Sequence, residues 1–165
     1  MKTHRYKLFT NINLTLIFIC IFSNLSFSQK LNLNDLKFVY EHHIESVDSY
    51  LLKKGFNFYK REIDEGESQN VYTSKNQTYI IKHTDEPNTG MSWYQLYDSN
   101  IYNSIKDECK KNGYIFSKTW KNEIPGHNLN YVYTNNKLKV TFSSLYEQNI
   151  TKYFISLTKV YPHEL

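Results

Sequence analysis

Lys53-Lys54-Gly55-Phe56-Asn57-Phe58-Tyr59-Lys60 returns later in the chain as Lys110-Lys111-Asn112-Gly113-Tyr114-Ile115-Phe116-Ser117-Lys118, with Asn112 treated as an insertion. Each stretch closes a helical pattern with cations and a glycine, then opens an aromatic strand. Val71-Tyr72-Thr73 and Val132-Tyr133-Thr134 match at a spacing of 61, and continuing that spacing sets Tyr79 and Ile81 opposite Val140 and Phe142. The matches keep one order, which reads as an internal repeat of residues 33–97 and 98–160.

At the start of the first copy, apolar residues fall at 33, 36, 40, 44, 47 and 51, the spacing of one helix face. A single helix from Leu33 to Leu51 is expected, with Asn34 as cap and Asp35 in its first turn. Burying that stripe would contribute on the order of 10 kcal/mol as an upper bound, so the helix must dock on something apolar. Strands are expected at Phe56–Ile63, Val71–Ser74, Tyr79–His83 and Met91–Tyr97, separated by Asp64-Glu65-Gly66-Glu67, Lys75-Asn76 and the stretch Asp85 to Gly90. Asp98 or Ser99 then starts a second helix with Ile101, Ile105 and Cys109 on one stripe. Strands follow at Tyr114–Trp120, Leu129–Thr134, Leu138–Ser143 and Ile150–Val160, and Asn135-Asn136 suits a tight hairpin with positive φ. The fold class is therefore α+β: two units of a helix plus four antiparallel strands, forming one sheet of up to eight strands with helices on one face.

Residues 1–28 differ from the rest. Lys2, Arg5 and Lys7 precede an apolar run from Leu14 to Phe22, and Ser26 and Ser28 stand at −3 and −1 of a cut before Gln29. These are the parts of a cleavable secretory signal. The run is about half the roughly 20 residues a spanning helix wants, so no stable membrane span is expected after cleavage. Ile19 before Cys20 disfavours a lipid-modified cysteine. Export to a periplasmic or extracellular compartment follows, with residues 29–165 as one domain.

Three of the 20 basic residues lie in the leader, which leaves 17 against 16 acidic ones, a net charge of +1. No Lys/Arg run exceeds two, so nucleic acid is not an expected partner. Cys109 alone remains after the cut, and no intrachain disulfide is possible.

The order of elements resembles the tandem-repeat β-lactamase inhibitory proteins, and more loosely the TATA-binding-protein-like and PepSY-type αβ repeats. The resemblance covers residues 29–165 as an arrangement and has no diagnostic residue motif, so it carries over no site residue. It implies a binding module whose uncovered sheet face contacts a partner.

Chemical motifs point away from catalysis. Glu41-His42-His43 with Glu45 is the densest ligand group, but adjacent helical residues point about 100° apart, and no histidine stands four residues on. His43 leans toward the apolar stripe. Cys109 falls late in its helix on the apolar face, where the dipole disfavours a thiolate. Nucleophile elbow, zinc helix, phosphate loop and dinucleotide fingerprint are absent from the sequence. No catalytic residue, metal or cofactor is assigned, and the chain is read as a non-enzyme.

Aromatics are in surplus, with fifteen Tyr, ten Phe and two Trp. Alternation sets Met91, Trp93, Gln95 and Tyr97 opposite Ser92, Tyr94 and Leu96. It likewise sets Tyr153, Ile155 and Leu157 opposite Lys152, Phe154, Ser156 and Thr158. Both faces carry large residues, so sheet-face aromatics, Trp93, Tyr94 and Tyr153, are the candidate binding residues. The expected function is an exported, inhibitor- or immunity-like module that binds another protein. A small-ligand carrier or structural envelope protein is the alternative, and a hydrolase using His83, Asp85 or His127 comes third.

Overall fold

The computed structural model describes residues 30–64, 67–84, 86–121 and 129–161. The expected leader and cleavage site, and Gly66, Asp85, Pro125, Gly126, His127 and His163, lie outside the described residues. In chain order the elements are α1 (Leu33–Glu41), α2 (Ile44–Lys53), β1 (Asn57–Asp64), β2 (Glu67–Thr73), β3 (Tyr79–His83) and β4 (Met91–Leu96). Then come α3 (Ser99–Lys111), β5 (Ile115–Lys121), β6 (Leu129–Thr134), β7 (Leu138–Glu147) and β8 (Ile150–Lys159).

The expected single first helix is two. His42 (φ −118°, ψ 156°) and His43 (φ −61°, ψ 153°) are extended, which stops the helical path. His42 Nδ1 reaches the Phe38 carbonyl at 3.0 Å, and the His43 carbonyl accepts from Ser46 N and Val47 N, both at 3.1 Å. The break folds α2 back on α1, so that Phe38 stacks between His42 (3.9 Å) and Tyr50 (4.1 Å). His43, expected at the boundary of the apolar stripe, has an exposed ring 3.9 Å from the Glu86 carboxylate.

The cap of α1 is Asn32 rather than Asn34. Its side chain accepts from Asp35 N at 3.0 Å, and the Asp35 carboxylate accepts from Asn32 N at 2.8 Å. That reciprocal box satisfies two donors a helix start leaves open. Asp35 is buried, and it also takes the Tyr50 hydroxyl and Lys54 Nζ, the latter at 2.9 Å. From α3, the Glu108 carboxylate accepts from Leu33 N at 2.9 Å, a negative charge at a helix N-terminus.

α2 and α3 end alike. Phe56 N returns to the Leu51 carbonyl and Gly55 N to that of Leu52. Tyr114 N returns to that of Cys109 and Gly113 N to that of Lys110. Gly55 (φ 85°) and Gly113 (φ 77°) supply the left-handed residue this motif needs. Asn112 therefore sits where Lys54 sits, and the two stretches correspond without an insertion.

The eight strands form one antiparallel sheet in the order β1-β2-β3-β4-β8-β7-β6-β5. Each block of four runs from an edge to the centre, where β4 pairs with β8. Both edge strands carry an irregularity at the same place. Phe58 pairs with Tyr72 and Lys60 with Val71, leaving Tyr59 bulged; Phe116 pairs with Tyr133 and Lys118 with Val132, leaving Ser117 bulged. Edge bulges add twist and limit further pairing. Phe58 meets Tyr72 edge-on at 5.8 Å, and Phe116 meets Tyr133 edge-on at 5.7 Å. The positive-φ hairpin is at Gln148 and Asn149 (φ 50° and 63°), not at Asn135-Asn136; Asn135 instead accepts from Lys137 N and Leu138 N through its side chain.

One strand parity faces the helices. Across the sheet this set runs Phe58, Tyr72, Ile80, Tyr94, Ile155, Phe142, Tyr131, Thr119. Asp48 of α2 accepts from the Tyr72 hydroxyl at 2.5 Å, and Tyr102 of α3 packs on Phe142 and Tyr153. The core lies between, built on Leu31, Leu33, Leu36, Val39, Val47, Leu51, Ile105 and Cys109 with Tyr72, Ile80, Tyr94, Phe142 and Ile155 of this strand set, while Phe58 and Thr119 on the edge strands are exposed.

Candidate functional site

The other parity defines the opposite face. Its central row is Lys60–Val71–Ile81–Trp93–Ser156–Thr141–Val132–Lys118, one residue from every strand and a lysine at each end. The next row holds Asn57, Thr73, Tyr79, Gln95, Phe154 and Ser143. Trp93, 37 % exposed, lies at the centre of the sheet. The His83 ring stands 6.2 Å from it, and Phe154 stands 6.4 Å away on the β8 side, edge-on. Val71 and Val132 are buried even here, while Ile115 and Trp120 of the edge strand β5 are exposed.

The three aromatics singled out from sequence separate. Trp93 takes its place on this face. Tyr94 is fully buried on the helix side, where burial pushes its phenol up to about 12. Tyr153 also turns to the helices and packs 4.7 Å from Tyr102. The alternation was right strand by strand; which parity the helices occupy emerges only from pairing. Phe154 and His83 complete the aromatic run that sequence reasoning did not assemble. Phe154 arrives through the β4–β8 register, a contact between residues far apart in the chain, and His83 through the neighbouring β3–β4 pairing.

The chain matches no protein-family model, no curated protein and no solved structure.

Two ion pairs lie on the Trp93 face. Lys60 Nζ donates to Glu62 at 2.6 Å, and Lys152 Nζ to Glu147 at 2.8 Å. His83 is half-buried, and desolvation lowers its pKa against a smaller opposing pull from Glu67.

On the helix side, Asn70, Lys82 and Ser92 pair side by side across β2, β3 and β4 and are all buried. The corresponding places of the second block hold Tyr131, Phe142 and Ile155, so the spacing of 61 that set Tyr79 and Ile81 opposite Val140 and Phe142 does not continue into β3; Ile80 and Lys82 stand there instead. Lys82 Nζ donates to the carbonyls of Tyr40, near the end of α1, and Glu86, each at 3.4 Å. A helix C-terminus favours a cation there. Lysine beside serine is a pairing some hydrolases use, but with 1 % and 4 % exposure this pair is sealed from substrate.

Cys109 is fully buried, and desolvation pushes its thiol up to about 12. Lys106 sits 3.4 Å above the Tyr131 ring, and burial lowers its pKa. Of the residues named for a dispersed hydrolase, only His83 falls among the described ones.

Proposed function

We propose that this chain is an exported, non-enzymatic module that binds another protein on the sheet face centred on Trp93. The observation that carries the reading is the aromatic run His83–Trp93–Phe154 at the middle of the eight-stranded sheet, with Trp93 in the row that crosses every strand. A large apolar centre rimmed by charge is the anatomy of a protein interface, and tryptophan is the residue type most often dominant in one. An inhibitor- or immunity-like role is the concrete version, in line with the resemblance to tandem helix-plus-four-strand binding proteins.

Matched helix ends, matched edge bulges and matched aromatic pairs support descent of residues 33–97 and 98–160 from one duplicated unit. The leader reading places the mature start at Gln29, which the intact mass of the exported protein tests. Retention of proteins from the native envelope and medium tests the face. A specific partner should be held by the wild type and lost on Trp93→Ala with Phe154→Ala, while Leu52→Ala on α2 leaves it bound. Equal retention by all three would end the proposal.

A further inference from the structure

The two strand blocks share a geometry but not a charge. Residues 33–97 hold seven Lys and Arg against ten Asp and Glu, a net −3; residues 98–160 hold nine against five, a net +4. The split persists on the Trp93 face. Among its described side chains, β1–β4 carry Lys60, Glu62 and Glu67, whereas β5–β8 carry Lys118, Lys139, Lys152 and Glu147. The face is thus electrically lopsided along the direction in which the strands are stacked.

We infer that the partner on this face is a second copy of the chain, turned about a two-fold axis that runs between the two sheets, along β4 and β8. That operation sets the acidic block of each copy over the basic block of the other and makes the same favourable contact twice. It is self-complementary and closes at two copies, as a dimer and not a fibre.

Shape agrees with charge. The operation brings β4 of one copy over β8 of the other, so Trp93 meets the row position that holds Ser156, a large side chain over a small one, twice. At the row's ends Lys118 meets the Lys60–Glu62 pair, where Glu62 supplies the carboxylate the contact needs. Eight strands about 4.8 Å apart, with a typical length of about 20 Å, present roughly 700 Å². A stable interface takes about 800 Å² from each partner. Face-to-face packing of two such sheets is an ordinary arrangement.

The inference rests on the reading of the Trp93 face as a protein-docking surface, and one set of measurements separates the two. Sedimentation of the exported protein should give a dimer whose dissociation constant rises at least tenfold between about 0.01 M and about 1 M salt, as screening shortens from about 30 Å to about 3 Å. Lys118→Glu with Lys139→Glu should weaken self-association at least tenfold, and so should Glu62→Lys with Glu67→Lys. Mixing these two variants should restore a 1:1 dimer, an outcome that misfolding of either could not produce. A monomer at every concentration and salt, or a dimer that ignores both charge reversals, overturns the inference. If that monomer still captures a different protein through Trp93, the docking surface stands and only the second copy falls.

Discussion

Lys82 and Phe142 occupy the same position in two matching blocks of the sheet, one a buried cation and the other a buried aromatic ring. Each lies two residues beyond a core aliphatic, Ile80 or Val140, that pairs with a core tyrosine, Tyr72 or Tyr133. The block with phenylalanine is covered by Tyr102 of α3. The block with lysine is covered by the end of α1 and the backbone at Glu86. One architecture therefore closes its two halves by different chemistry.

Lys82→Met should lower stability by about 1–3 kcal/mol, because the Tyr40 and Glu86 carbonyls lose a buried donor. Phe142→Ala should cost about 3–5 kcal/mol through the cavity it leaves. Urea unfolding of the two variants measures both, and a neutral Lys82→Met would show the lysine to be dispensable.

At the end of α3, Gly113 has φ 77° and open space where a Cβ would stand. Gly113→Ala should therefore cost only the backbone term, about 1–2 kcal/mol. Gly90, at φ 61°, has the His83 carbonyl 3.0 Å from the same point, so Gly90→Ala should cost more. Thermal unfolding of the pair gives the order directly.

Much of this was legible in the residues and some was not. Gly55 and Gly113 announced two helix ends, and the bounds of β3 and β6 could be read from their apolar runs, because those signals are local. His42-His43 hid a break inside an unbroken apolar stripe, since the stripe's spacing survives a two-residue turn. Tyr94 and Trp93 looked alike as neighbouring strand aromatics. Their separation into core and surface depends on which parity the helices cover, and that is fixed by the Tyr102–Phe142 and Asp48–Tyr72 contacts between distant segments. Lys82 gives no signal in the sequence, because no pattern in a single strand reveals what closes over it.

His83 is expected to lose a proton-linked share of stability on acidification. Its folded pKa is lowered by burial, so below about 6.5 the unfolded chain binds more protons than the folded one. Stability should fall as pH drops through that value toward the folded pKa. His83→Gln should flatten this part of the pH–stability curve, which urea titrations at several pH values would record; an unchanged curve contradicts the assignment.

Cys109 should resist a polar thiol reagent in the native protein near pH 8, because its thiol is sealed and titrates at about 12. Labelling should track unfolding and become fast only in denaturant. Native labelling at the unfolded rate would mean that α3 lifts easily from the sheet.

The central claim, that the Trp93 face meets a protein, is tested most directly by a photo-crosslinking amino acid placed at Trp93 in the intact producing cells, with the same group at Leu52 as control. Leu52 is 64 % exposed on α2. The expected result is a discrete protein adduct from position 93 and none from position 52. No adduct at 93, or the same adducts from both positions, would contradict the account.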